Sequence, residues 1–215
     1  MPPVVSIVGK SKSGKTTFLE KLIRELKSRG YHIATIKHTH HDQSFDQPQK
    51  DSWRHMQAGS EAVILSSPNG IAMMKPLSQK MTVDEIARLF GEDYDIILTE
   101  GFSRGSAPKI EVHRKEVGSP LRSATKRIAI VTDEPLETKV RQFSLEDVKG
   151  VADLLEVGFI KPQWERLSLY VNNTFIPLTV FPRQIITNML LAMASTLRGV
   201  REVTSLEIFF RRGPR

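Results

Sequence analysis

The stretch Gly9-Lys10-Ser11-Lys12-Ser13-Gly14-Lys15-Thr16 has the spacing G-x-x-x-x-G-K-[ST], that of a loop that cradles phosphate. The glycines let the backbone wrap so that its N–H groups point inward at an anion. A helix opening at Lys15 adds its positive end to the same anion. Lys15 is expected to reach the terminal phosphates, and the Thr16 hydroxyl to ligate Mg²⁺. Ser11, Ser13 and Thr17 are expected to add polar contacts, Lys10 charge, and Lys12 a solvated charge. Chemistry at such a loop also needs an acid that directs the metal. Asp95-Ile96-Ile97-Leu98-Thr99-Glu100-Gly101 supplies one. Glu100 would end a buried strand, where ligands collect in open α/β sheets, and Gly101 would allow close approach. Asp95 would lie at the strand's other end.

A second constellation is Thr35-Ile36-Lys37-His38-Thr39-His40-His41-Asp42. Three imidazoles and a carboxylate suggest a transition-metal site. In an extended segment, however, His38 and His40 lie on one side and His41 on the other. A hard Mg²⁺ prefers the oxygen of Asp42. The segment therefore reads as a switch-like stretch in which Lys37 and Asp42 face phosphate and metal. Lys50 and Asp51, at a helix start, can form a second phosphate site or an ordinary helix end. Arg104, Lys109, Arg114 and Lys115 follow Glu100 as further positive charge.

These residues need a scaffold, and the periodicities supply one. Val4–Val8 reads as a buried strand. Thr16 to Arg29 is amphipathic at helical spacing and ends at Gly30. Strands are predicted over Tyr31–Lys37, Asp95–Thr99, Lys109–Arg114 and Arg127–Thr132. A hairpin is predicted from Ala62–Ser66 and Ile71–Lys75 about Ser67-Pro68-Asn69-Gly70. Helices are predicted over Asp51–Ala58, from a capping box of Thr82 and Glu85 to Phe90, and from a Ser144 cap to about Glu156. Alternating strands and helices imply an α/β fold with a mostly parallel sheet and flanking helices. Residues 1–157 form this P-loop domain. Gly158–Glu165 reads as a linker to a small α+β extension, 158–215: a hairpin from Leu167–Val171 and Phe175–Val180, a helix Arg183–Leu197 and a strand Val203–Phe210. That helix has no charge between Arg183 and Arg198 and reads as buried on more than one side, against a second subunit or, alternatively, against its own P-loop domain.

The 215 residues contain no cysteine. Disulfides, thiolate metal sites, iron–sulfur clusters and cysteine nucleophiles are excluded. No apolar run is long enough for a membrane span, and Val4–Val8 lacks the length and basic lead of a signal peptide. A cytoplasmic protein is expected. The net charge is +7; residues 158–215 hold eight Lys/Arg against three Asp/Glu, or +5. Nucleic acid is not the expected partner, since the tail's aromatics fall in apolar strand patterns rather than among the basic residues.

The motifs "GKSKSGKTT", "IKHTHHD", "DQPQKDSWRHMQAG" and "ILTEGF", in this order, resemble the molybdopterin-guanine dinucleotide biosynthesis adapter family, protein B. The resemblance covers about residues 3–157. It implies a dimeric P-loop GTPase that uses Mg²⁺ and assists the guanylyltransferase attaching GMP to molybdopterin, with molybdopterin a further possible ligand. In that setting Lys15, Glu100 and Asp42 carry the chemistry, with Thr16, Glu100 and Asp42 toward Mg²⁺. Asp133, after the strand 127–132, is the residue able to accept from guanine N1 and N2. The Asn-Lys-x-Asp motif of most G proteins is absent there. Lys10 stands where a lysine of dimeric relatives reaches the partner's nucleotide. The motifs include no water-orienting glutamine and no arginine finger, so hydrolysis is expected to be slow. The rival readings are a nickel-insertion GTPase, from the histidines, and a small-molecule P-loop kinase.

Overall fold

The computed structural model describes residues 1–39, 50–121, 124–172 and 174–208. The chain divides into two compact units, Met1–Trp164 and Glu165–Arg215. The first contains β1 (Val4–Val8), α1 (Lys15–Ser28), β2 (Ile33–Lys37), α2 (Asp51–Gln57), β3 (Val63–Ser67), β4 (Gly70–Met74), α3 (Val83–Ala87), β5 (Ile96–Glu100), β6 (Lys109–Val112), β7 (Arg127–Thr132), β8 (Arg141–Ser144) and α4 (Val148–Leu155). Six strands form one sheet in the order β2-β5-β1-β6-β7-β8, with every pair parallel. β3 and β4 form a separate antiparallel hairpin, at the predicted site.

Parallel strands covered on both faces read as continuous apolar runs, and all five residues of β1 are buried. The period of two divides them between two cores. Val5 and Ile7 pack with Phe18, Leu22 and Leu26 of α1 and Val151 and Leu155 of α4. Val4 joins Ala34, Ile36, Ile97, and Val83 and Ala87 of α3 on the other face. Because the strands are parallel, the segments that follow β1, β2, β5, β6 and β7 all open along one edge of the sheet. α1 ends as predicted: Gly30 takes φ 90° and its N–H donates to the Lys27 carbonyl at 3.0 Å. α3 starts on the Thr82–Glu85 capping box. Arg29 ties α1 to α4 by pairing with Glu25 at 2.8 Å, Asp153 at 2.6 Å and Glu156 at 2.8 Å.

Four expectations need correction. Gly158–Glu165 is not a linker. The helix runs on from α4 through a wide turn, Glu156–Ile160, and a tight one, Lys161–Gln163. Ile160 is buried in the first core, so the first unit extends past 157. A strand absent from the sequence reading, β8, closes the sheet. Ser144 is its last residue, and Asp147 caps α4 by accepting the Gly150 N–H at 3.0 Å.

The fourth correction lies in the second unit, which holds β9 (Leu169–Val171), β10 (Thr174–Ile176) and α5 (Val180–Ser195). The predicted last strand is absent from 203–208, and Phe209 and Phe210 lie outside the described residues. The unit is β-β-α there, not β-β-α-β. Ile185, Met189, Met193 and Leu197 of the apolar stripe are exposed in the single chain, and no third strand joins β9 and β10 among the described residues. No helix among the described residues is long and apolar enough to cross a membrane.

Candidate functional site

β1 delivers the chain to the sheet edge, and α1 takes it back along one face. The loop between them turns through three residues at positive φ: Gly9 at 153°, Lys12 at 64° and Gly14 at 88°. A side chain on Gly9 would collide with the Val112 carbonyl oxygen and stand 2.7 Å from Ser13 Oγ. Glycine is therefore required here by close approach as well as by conformation. Ser13 is wholly buried, and its hydroxyl has no partner among the described residues. A polar atom hidden without a partner fits a loop shaped around a ligand.

Lys15 folds back across the loop and donates to the Lys10 carbonyl at 2.7 Å. Burial lowers its pKa, the Glu100 carboxylate works in the opposite direction, and the Lys37 ammonium lowers it further. Thr16 Oγ1 donates to both Glu100 oxygens, at 3.0 and 3.1 Å. Lys37, which pairs in register with Glu100, brings its ammonium within 3.8 Å of Oε2. Hydroxyl and carboxylate oxygens from β5 and the start of α1 thus meet beside Lys15. That hard-oxygen donor set fits Mg²⁺. Asp95 lies at the opposite end of β5, where it accepts the His32 N–H at 2.7 Å.

Other expected residues are more scattered. Ser11, Lys12 and Thr17 are exposed. Lys10 donates to the Val117 carbonyl of its own chain at 3.2 Å. Asp133 follows β7 and accepts the Lys115 N–H at 2.9 Å through Oδ1. Asp42, His40 and His41 lie outside the described residues. His38 stacks on Phe102 with ring centroids 4.4 Å apart, and its backbone N–H donates to the Glu100 carbonyl at 3.0 Å. Gly101 permits this approach, since a Cβ there would stand 3.1 Å from His38 Cβ. Of the proposed second phosphate site, Asp51 is exposed and α2 has no side-chain cap. The charges after Glu100 do not form one surface. Lys109 is fully buried and donates to the Gly105 and Ala107 carbonyls at 2.7 and 2.9 Å. Arg114 instead lies against Gly14, its Nε 3.3 Å from where a Cβ there would stand, a position the motif does not contain.

A strand, a wrapped glycine loop, a helix and an acid on the adjacent parallel strand define a P-loop type nucleotide-binding fold. The profile for "Molybdopterin guanine dinucleotide synthesis protein B" matches residues 4–133. A Haemophilus influenzae molybdopterin-guanine dinucleotide biosynthesis adapter protein is 38% identical over 72% of this chain and 88% of its own. The chain belongs to this protein B family, an adapter family of molybdopterin guanine dinucleotide biosynthesis. A solved molybdopterin-guanine biosynthesis protein B superposes with TM-score 0.58 at 28% identity, over 72% of this chain and 98% of that one. A Methanocaldococcus jannaschii chain, named as a putative member, is 22% identical but spans 95% of this chain and 96% of its own. That alignment takes in most of the second unit.

Proposed function

We propose that this chain binds GTP with Mg²⁺ at Gly9–Thr16, hydrolyses it slowly, and assists the guanylyltransferase that joins GMP to molybdopterin, acting as a cytoplasmic homodimer. The observation that carries the nucleotide reading is the Thr16–Glu100 pair beside Lys15. The loop amides and Lys15 hold the phosphates. Thr16 and Glu100, with Asp42, would hold Mg²⁺. The bound ion would neutralise charge on the phosphate oxygens. Asp133 would read the guanine edge, with Oδ1 steadied by the Lys115 N–H and Oδ2 left to the base. Turnover is slow in this reading because the motifs provide cations and an acid but no water-orienting glutamine.

Equilibrium binding tests it. Mg²⁺-dependent GTP binding is expected in the wild type and lost in Lys15→Ala. Equal affinity for ATP would remove the guanine assignment and leave the site intact. Glu100→Gln should weaken Mg²⁺ dependence and hydrolysis more than nucleotide binding itself. An unchanged hydrolysis rate in that variant transfers the role to another acid.

A further inference from the structure

β1 is flanked by two strands, and their C-terminal ends contribute different chemistry to the loop. On one side β5 brings Glu100. On the other, β6 brings residues 113–118 along the loop's opposite wall. The Val112 carbonyl closes over Gly9, and the Val117 carbonyl receives Lys10. Between them Arg114 lays its guanidinium on Gly14: a Cβ built there would stand 3.3 Å from Nε, 3.6 Å from Nη2 and 3.9 Å from Cζ. The backbone on each side is anchored. The His113 N–H donates to the Val131 carbonyl at 2.8 Å, and its buried ring meets Glu134 at 3.0 Å. Lys115 N–H is held by Asp133.

Arg114 is half-buried, and no carboxylate pairs with it among the described residues. It lies against Gly14, the residue at the positive end of α1. A cation at the positive end of a helix is repelled unless an anion lies between them. The wholly buried Ser13 hydroxyl in the same loop also has no partner among the described residues. A guanidinium presents its N–H groups as a planar fork that matches phosphate oxygens two at a time.

We infer that Arg114 is a second phosphate-binding cation of this site, supplied by the same chain from the β6 side and contacting the phosphate chain of a bound nucleoside di- or triphosphate. Lys15 holds that chain at the Lys10 end of the loop, and Arg114 holds it at the Gly14 end. The inference rests on the P-loop nucleotide reading and adds a residue that the motif does not contain.

The test is equilibrium binding of Mg²⁺-GTP and Mg²⁺-GDP to the full chain and to Arg114→Ala, Arg114→Lys and Lys15→Ala. Arg114→Ala should weaken both nucleotides by roughly 10- to 100-fold, the range for losing hydrogen bonds to a charged group. Arg114→Lys should recover part of that loss, since it keeps the charge without the fork. The guanidinium makes no hydrogen bond to another group among the described residues, so thermal melting should be unchanged in both variants. Wild-type affinity for both nucleotides in Arg114→Ala, with binding lost in Lys15→Ala, overturns the inference and spares the nucleotide reading. If the wild type binds neither nucleotide, that reading fails, and inorganic pyrophosphate becomes the probe. Equal pyrophosphate affinity of wild type and Arg114→Ala then overturns the Arg114 contact by itself.

Discussion

Gly9 and Gly14 occupy the same loop but tolerate change differently. A methyl on Gly9 meets a backbone oxygen, whereas on Gly14 it meets the far end of a flexible arginine. Both positions strain an L-residue, Gly14 at φ 88° being left-handed. Gly9→Ala should therefore cost roughly 2 kcal/mol or more and abolish nucleotide binding. Gly14→Ala should cost less, because the guanidinium can move aside. Urea unfolding of the two variants measures the difference, and equal losses would refute this ranking. The loop itself was legible because its conformation demands particular residue types at particular spacings. Glu100 was legible because strand direction fixes which end faces the ligand. Arg114 was not, because its contact with Gly14 spans a hundred positions and exists only once β6 lies beside β1.

The segments that were misread are short or contain breakers. β8 is Arg-Gln-Phe-Ser with one buried residue, Phe143, so it carries no period to detect. Gly158 and Pro162 suggested a break, but the turn they interrupt stays packed through Ile160 and through Lys161, which pairs with Glu156 at 2.7 Å. A chain ending at residue 157 loses the Ile160 side chain from the core and should be less stable by about 2–5 kcal/mol. A chain ending at Trp164 should keep that stability, and denaturant midpoints of the two would show it. Lys161 first, and then Arg29, hydrogen-bond the Glu156 carboxylate and depress its pKa from 4.5 to about 2. Its contribution is therefore complete above pH 4.5 and is lost as pH falls toward 2. Wild type should melt above Glu156→Gln at neutral pH, with the gap closing between pH 4.5 and 2. A gap that persists at pH 2 would assign the difference to something other than this charge.

The molecule's two units differ in how far the sequence specified them. The first has long apolar strands with partners on both sides, and its α/β order follows from the alternation of periods. In the second, the hairpin and α5 form where expected. Val203–Ile208 carries the β-branched residues Val203, Thr204 and Ile208 but pairs with no strand among the described residues. The homodimer is proposed to depend on the exposed stripe of α5. Light scattering should give a dimer for the full chain and a monomer for a chain ending at Trp164, with GTP binding kept in both. A full-length monomer, or a shortened chain that dimerises as tightly, would remove α5 from the interface.

The order β2-β5-β1-β6 also sets a timetable for synthesis. β1 leaves the ribosome first and β2 soon after, yet neither pairs with the other. Both wait for β5, which is complete only when Glu100 has been made. At about 5–20 residues per second that interval is on the order of 5–20 s. Throughout it, Val-Val-Ser-Ile-Val is a bare apolar segment of high strand propensity, and the nascent chain depends on α1, folding locally against β1, or on a chaperone to keep it from neighbouring chains.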